Sequence, residues 1–171
     1  HRTVEAALSL LAQCSTHVSL SALKGLKGFT ELLTKAILTG TENTVRFAID
    51  CLYVYCSRVE GNYELILRLW SKFSKYLKTQ LEEPSGSAAS YSRALFSLGC
   101  LCRHSGRAEA DSANIPGHLR SAVQVFVKWF HHEQCEHSVR SYALQSVVQA
   151  IESFPSLLVD PIIVELIGNV K

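Results

Sequence analysis

The chain has 171 residues, 47% hydrophobic and 19% charged, with a formal net charge of +2. That balance excludes a disordered chain and leaves enough apolar mass for a sizeable core. It also excludes a global basic field, so any nucleic-acid contact must come from local stripes of cations.

Taken in order, Arg2 to Ala12 repeats Val4, Ala7, Leu8 and Leu11 at helical spacing. Leu20 to Leu38 carries Leu23, Leu26, Leu33 and Ile37 on one face. Lys24, Lys27, Glu31 and Lys35 stand on the other, with Glu31 and Lys35 in the favourable i,i+4 order. Gly40 is expected to end this helix in the left-handed region. Asn43 or Thr44 is expected to cap the next helix, which runs to about Arg58 with Val45, Ala48, Ile49, Leu52, Tyr53 and Cys56. After a turn at Glu60-Gly61-Asn62 comes the clearest amphipathic helix, Tyr63 to Leu81. Leu65, Ile66, Leu69, Trp70, Phe73, Tyr76 and Leu77 share one arc, and Arg68, Lys72, Lys75 and Lys78 occupy the opposite one.

Residues 82–90, EEPSGSAAS, read as a polar loop. Arg93 to His104, RALFSLGCLCRH, is apolar nearly all round and therefore reads as a buried helix, with Gly99 allowing a neighbouring helix to come close. A second polar loop spans 105–114. Ile115 to about His132 forms a helix with Pro116 in its first turn, and His131 to His137 turns the chain. Ser138 is expected to cap a helix that Pro155 stops, and a last helix runs from Leu157 to Val170. There is no methionine and the sequence opens at His1, so an excerpt of a longer polypeptide is expected.

The pattern predicts an all-α fold of about eight helices with no strand-period segment. Helix pairs recur roughly every 40 residues, the spacing of HEAT and armadillo repeats. The expected architecture is an α-solenoid of about four HEAT-type hairpins, one segment over 1–171, whose pairs bury their apolar faces by stacking. A compact non-repeating bundle is the alternative.

The segment RALFSLGCLCRH resembles one in the HEAT region of the Nipped-B type cohesin loader, the large subunit of the kollerin complex. Arg93, Leu95, Phe96, Gly99, Leu101, Cys102, Arg103 and His104 carry the resemblance. CLYVYCSRVEGNYELILRLWSKFSKYLKTQ before it and SVRSYALQSVVQAIESFPSLLVD after it are similar to family segments in the same order. The likeness covers about Thr44 to Val170. Ser105 to Ala110 departs from it, because the family commonly has an acidic and aromatic segment there. The resemblance implies a nuclear, chromatin-associated scaffold that binds cohesin subunits and DNA and stimulates cohesin's ATPase. It implies a small TPR-type partner subunit engaged through other parts of the chain. It implies no catalytic residues, cofactor, small-molecule substrate or membrane.

The candidate DNA- or partner-binding residues are Arg68, Lys72, Lys75 and Lys78, whose spacing on one helix face could track phosphates. The bland reading is a solvated helix face. The Lys24, Lys27, Lys35 face is diluted by Glu31. His131, His132, Cys135 and His137 are zinc-competent residue types without a recognised zinc spacing, so no metal site is expected. Cys100 and Cys102, with His104 nearby, point apart on a helix, which disfavours a shared metal or a disulfide. The six cysteines fall mostly within apolar helical patterns, as reduced, buried thiols do. No phosphate-cradling glycine loop, nucleophile elbow or paired carboxylate suggests an enzyme. The rival from another class is a HEAT or armadillo adaptor that recognises proteins only.

Overall fold

The computed structural model describes residues 2–14, 28–57, 63–105 and 117–169. They form eight α-helices and one 3-10 turn, with no strand among the described residues. In chain order these are α1 (Arg2–Cys14), α2 (Phe29–Thr39), α3 (Glu42–Ser57), α4 (Tyr63–Glu82), α5 (Ala88–Ser105), α6 (Gly117–His131) and α7 (His137–Ser153). The 3-10 turn Pro155–Val159 then leads into α8 (Pro161–Asn169). The protein is all-α.

The helices pack on their neighbours in the chain, α2 on α3, α4 on α5 and α6 on α7. Each also packs on the next helix but one. Helices α1, α3, α5 and α7 touch in succession as one row, and α2, α4, α6 and α8 touch in succession as a second. The core lies between the rows, where Leu33, Leu52, Phe73, Leu98 and Phe126 are fully buried. Every one of these side chains comes from an apolar arc at helical spacing, so amphipathicity dictates which face of each helix turns inward.

Helix α5 is the most enclosed. Its residues Ala94, Leu95, Ser97, Leu98 and Gly99 through Cys102 are all buried, which is the burial its all-round apolar sequence implies. A Cβ at Gly99 would sit 2.8 Å from Ser146 Oγ of α7, so the missing side chain admits that helix. Ser146 Oγ lies 2.8 Å from the carbonyl oxygens of both Leu95 and Tyr142 and bridges the two helices.

Several boundaries differ from expectation. Gly40 is extended, with φ −73°, and the positive φ belongs to Gly28, before α2. The Gly40 amide still donates to the Ala36 carbonyl at 3.0 Å, and the chain then runs extended into Thr41. Thr41 is the residue that caps α3: its hydroxyl accepts from the Thr44 amide at 3.4 Å and donates to Glu5 Oε1 of α1 at 2.9 Å. Ala88 to Ser90 belong to α5 and not to the preceding loop, because Ser87 and Ser90 cap that helix reciprocally, each hydroxyl accepting from the other's amide. Helix α7 starts at His137 without a side-chain cap, so Ser138 does not serve as one. The last helix is split at Asp160, whose Oδ1 accepts from the Ile162 amide at 3.1 Å and caps α8. Leu20 to Lys27, the turn 60–62, the loop residues 106–114 and Ile115-Pro116 lie outside the described residues.

Candidate functional site

The four cations of α4 fall into an outward arc, as their spacing requires, but they do not act alike. Lys72 leans toward α2, where its ammonium lies 2.8 Å from Glu31 Oε1. Lys78 leans toward α6 and donates to Ser121 Oγ at 3.2 Å. Lys75 stands between them and lines the trough on either side of α4, with no hydrogen-bond or ion-pair partner among the described residues. Arg68 is exposed one turn before Lys72.

The trough between α2 and α4 has a cavity volume of about 520 Å³. Lys35 lines it from α2 and Lys72 and Lys75 from α4, together with half-buried Leu38 and Tyr76. Sequence spacing assigned Lys35 to a separate, diluted face, because residues on two helices show no common period. Its other members, Lys24 and Lys27, lie outside the described residues. The expected Glu31–Lys35 pair is replaced by Glu31–Lys72, since the neighbouring helix brings an ammonium closer than the next turn does. The Lys72 ammonium is the largest influence that holds the Glu31 carboxyl down at about 2, followed by its own backbone and the Thr30 hydroxyl, which donates to Oε2 at 2.9 Å. The trough between α4 and α6, about 360 Å³, holds Lys75, Lys78, Glu82 and His118, with Trp70 packed edge-on to His118.

Of the other candidates, the cysteines of α3 and α5 are taken up by packing, whereas His131 and His137 are exposed. Burial pushes the thiols of Cys51, Cys100 and Cys102 up, Cys51 to about 12, so none is a ready nucleophile. Cys51 Sγ instead donates to the Leu8 carbonyl at 3.2 Å, which ties α3 to α1. His131 packs edge-on to Phe130 and His132 lies beside Trp129. Among the described residues no group of three or more His, Cys, Asp or Glu side chains is placed to hold a metal ion. No described helix is long and apolar enough to cross a membrane.

The residues that resemble the loader segment are largely inward. Arg93 Nη1 donates to the Gly40 carbonyl at 3.3 Å, and Leu95, Gly99, Leu101 and Cys102 are buried. Phe96 meets Tyr53 and Tyr142 edge-to-face at 6.1 and 6.3 Å, a line of rings across α3, α5 and α7. No family model, curated protein or solved structure matches the chain.

Proposed function

We propose that the chain is a segment of a HEAT-type α-solenoid of about four hairpins, from a Nipped-B type cohesin loader, working as a nuclear binding scaffold without catalysis. The observation that supports the solenoid is the double row, in which α2 with α3, α4 with α5 and α6 with α7 touch as pairs and each helix touches the next but one. Exposed Leu144 and Val148 on α7, with Val164 and Ile167 on α8, fit faces that a further repeat would cover. The loader identity rests on RALFSLGCLCRH and its two flanking segments. Cohesin subunits and DNA are then the partners. The stripe Arg68, Lys72, Lys75 and Lys78 is the contact surface, and the small TPR-type subunit engages elsewhere.

The test is a pull-down of the intact parent from nuclear extract with and without nuclease. Cohesin subunits that survive nuclease uphold the reading; their absence overturns it. Alanine at all four stripe positions should flatten the salt dependence of DNA binding, since each neutralised phosphate steepens it. An unchanged slope removes the stripe.

A protein-only HEAT or armadillo adaptor is the second reading. It is favoured by the engagement of Lys72 with Glu31 and of Lys78 with Ser121, which reduces the charge available to phosphates.

A further inference from the structure

The trough between α2 and α4 combines two features that a plain solvated face lacks. Its lining includes half-buried Leu38 and Tyr76, and lysines line it from both helices, Lys35 on α2 and Lys72 and Lys75 on α4. The groove also already holds a carboxylate: Glu31 Oε1 sits 2.8 Å from Lys72 Nζ, with the Thr30 hydroxyl donating to its other oxygen. That internal pair occupies one cation. The ammonium groups of Lys35 and Lys75 have no hydrogen-bond or ion-pair partner among the described residues, Lys35 accepting only at its carbonyl from Thr39.

We propose that this trough docks an extended acidic peptide segment of a protein partner, with carboxylates on Lys35 and Lys75 and an apolar side chain on Leu38 and Tyr76. The cavity, about 520 Å³, is within the usual range of ligand sites. An extended peptide suits it because alternate side chains point opposite ways, so acidic and apolar groups can be delivered to the lysines and to Leu38 and Tyr76 from one strand. Duplex nucleic acid suits it less well. Duplex affinity grows with the number of phosphates neutralised, and two uncommitted ammonium groups neutralise few. Phosphates would also leave Leu38 and Tyr76 unused. The inference stands on the trough alone, so it holds for a loader and for an adaptor alike.

The experiment is fluorescence anisotropy on the full chain, with a short fluorescein-labelled peptide of alternating Glu-Leu, the same peptide with Gln for Glu, and a labelled DNA duplex. The acidic peptide should bind, and the Gln peptide should not. Lys35→Glu with Lys75→Glu should weaken the acidic peptide by about tenfold or more, as expected when two attractive contacts become repulsive. Lys35→Arg with Lys75→Arg should bind like the parent. Glu31→Gln should strengthen binding about two- to fivefold by releasing Lys72, a gain that misfolding cannot produce. Lys128→Ala, an exposed cation of α6 outside both the trough and the α4 stripe, should leave peptide binding unchanged. Equal peptide binding by the Lys→Glu pair and the parent overturns the proposal. So does binding of the duplex alone, with the same loss in that variant.

Discussion

The two rows of helices are held by different mixtures of contacts. Along α1, α3, α5 and α7 close, buried and aromatic links accompany polar ones at the edges, Thr41 and Thr44 to Glu5 and Arg103 to Glu152. Cys51 Sγ donates to the Leu8 carbonyl, Phe96 bridges Tyr53 and Tyr142, and Gly99 opens α5 to Ser146. Along α2, α4, α6 and α8 each successive contact carries a polar bridge: Lys72 to Glu31, Lys78 to Ser121, and Arg120 to Asp160 at 3.0 Å. Small and apolar residues let helices close up and bury their contact. Long cations hold their neighbours off and leave troughs between them. The first row is therefore the more closely packed, and the second leaves open troughs between its helices.

Removing bulk should separate the rows most. Leu98 of α5 is fully buried, and Leu98→Ala should cost about 4 kcal/mol, the transfer term plus a cavity that the crowded row cannot collapse. Leu38→Ala in the trough lining should cost about 1 kcal/mol, since a half-buried side chain leaves no closed cavity. Urea unfolding of both variants measures the difference. Equal losses would mean that the trough is as tightly packed as the α5 seam.

Adding bulk is the converse. Gly99→Val should cost about 3 kcal/mol, because even its Cβ meets Ser146 Oγ at 2.8 Å. Thr79→Leu, at an exposed position lining the trough, should change stability by no more than about 0.5 kcal/mol. A tolerated valine at 99 would show that α7 can yield.

Within the polar row, Asp160 is the bridge with most to lose. Its carboxylate is 6% exposed, accepts from Arg120 Nε at 3.1 Å, and caps α8. Asp160→Ala removes the cap and the ion pair together and should cost about 2 kcal/mol, less than a wholly buried pair because Arg120 is 52% exposed. Asp160→Asn keeps the cap and should recover about half of that in a thermal melt.

These contrasts also show what the sequence could reveal. Helix faces were legible because a single period sorts Ile66, Leu69, Trp70, Phe73 and Leu77 from Arg68, Lys72, Lys75 and Lys78. The burial of α5 followed from its all-round apolar sequence, and the close approach at Gly99 from residue size. Cap residues were harder to place. Thr41, Ser87 and Asp160 act through hydrogen bonds to amides two or three residues on, and neighbouring Asn43, Thr44 and Ser138 offer the same chemistry on paper. The α2–α4 trough was not legible at all. Lys35 and Lys72 are far apart along the chain, and only the packing of one helix on the next but one brings them to the same groove.

The smallest effect tests whether the polar row persists in solution. Glu31 has its carboxyl lowered from 4.5 to about 2, chiefly by the Lys72 ammonium. A carboxyl lowered on folding contributes stability above its unfolded value and loses it as pH falls through the folded value. The pair should therefore be intact at pH 4.5 and break only as the pH approaches about 2. Carboxyl-carbon NMR of Glu31 against pH measures the midpoint directly. Lys72→Gln should move that midpoint upward but not fully back to 4.5, because the backbone and the Thr30 hydroxyl still favour the ionised form. A midpoint near 4.5 in the parent chain would mean that Lys72 is released to solvent, and the trough would then offer a partner all three of its ammonium groups.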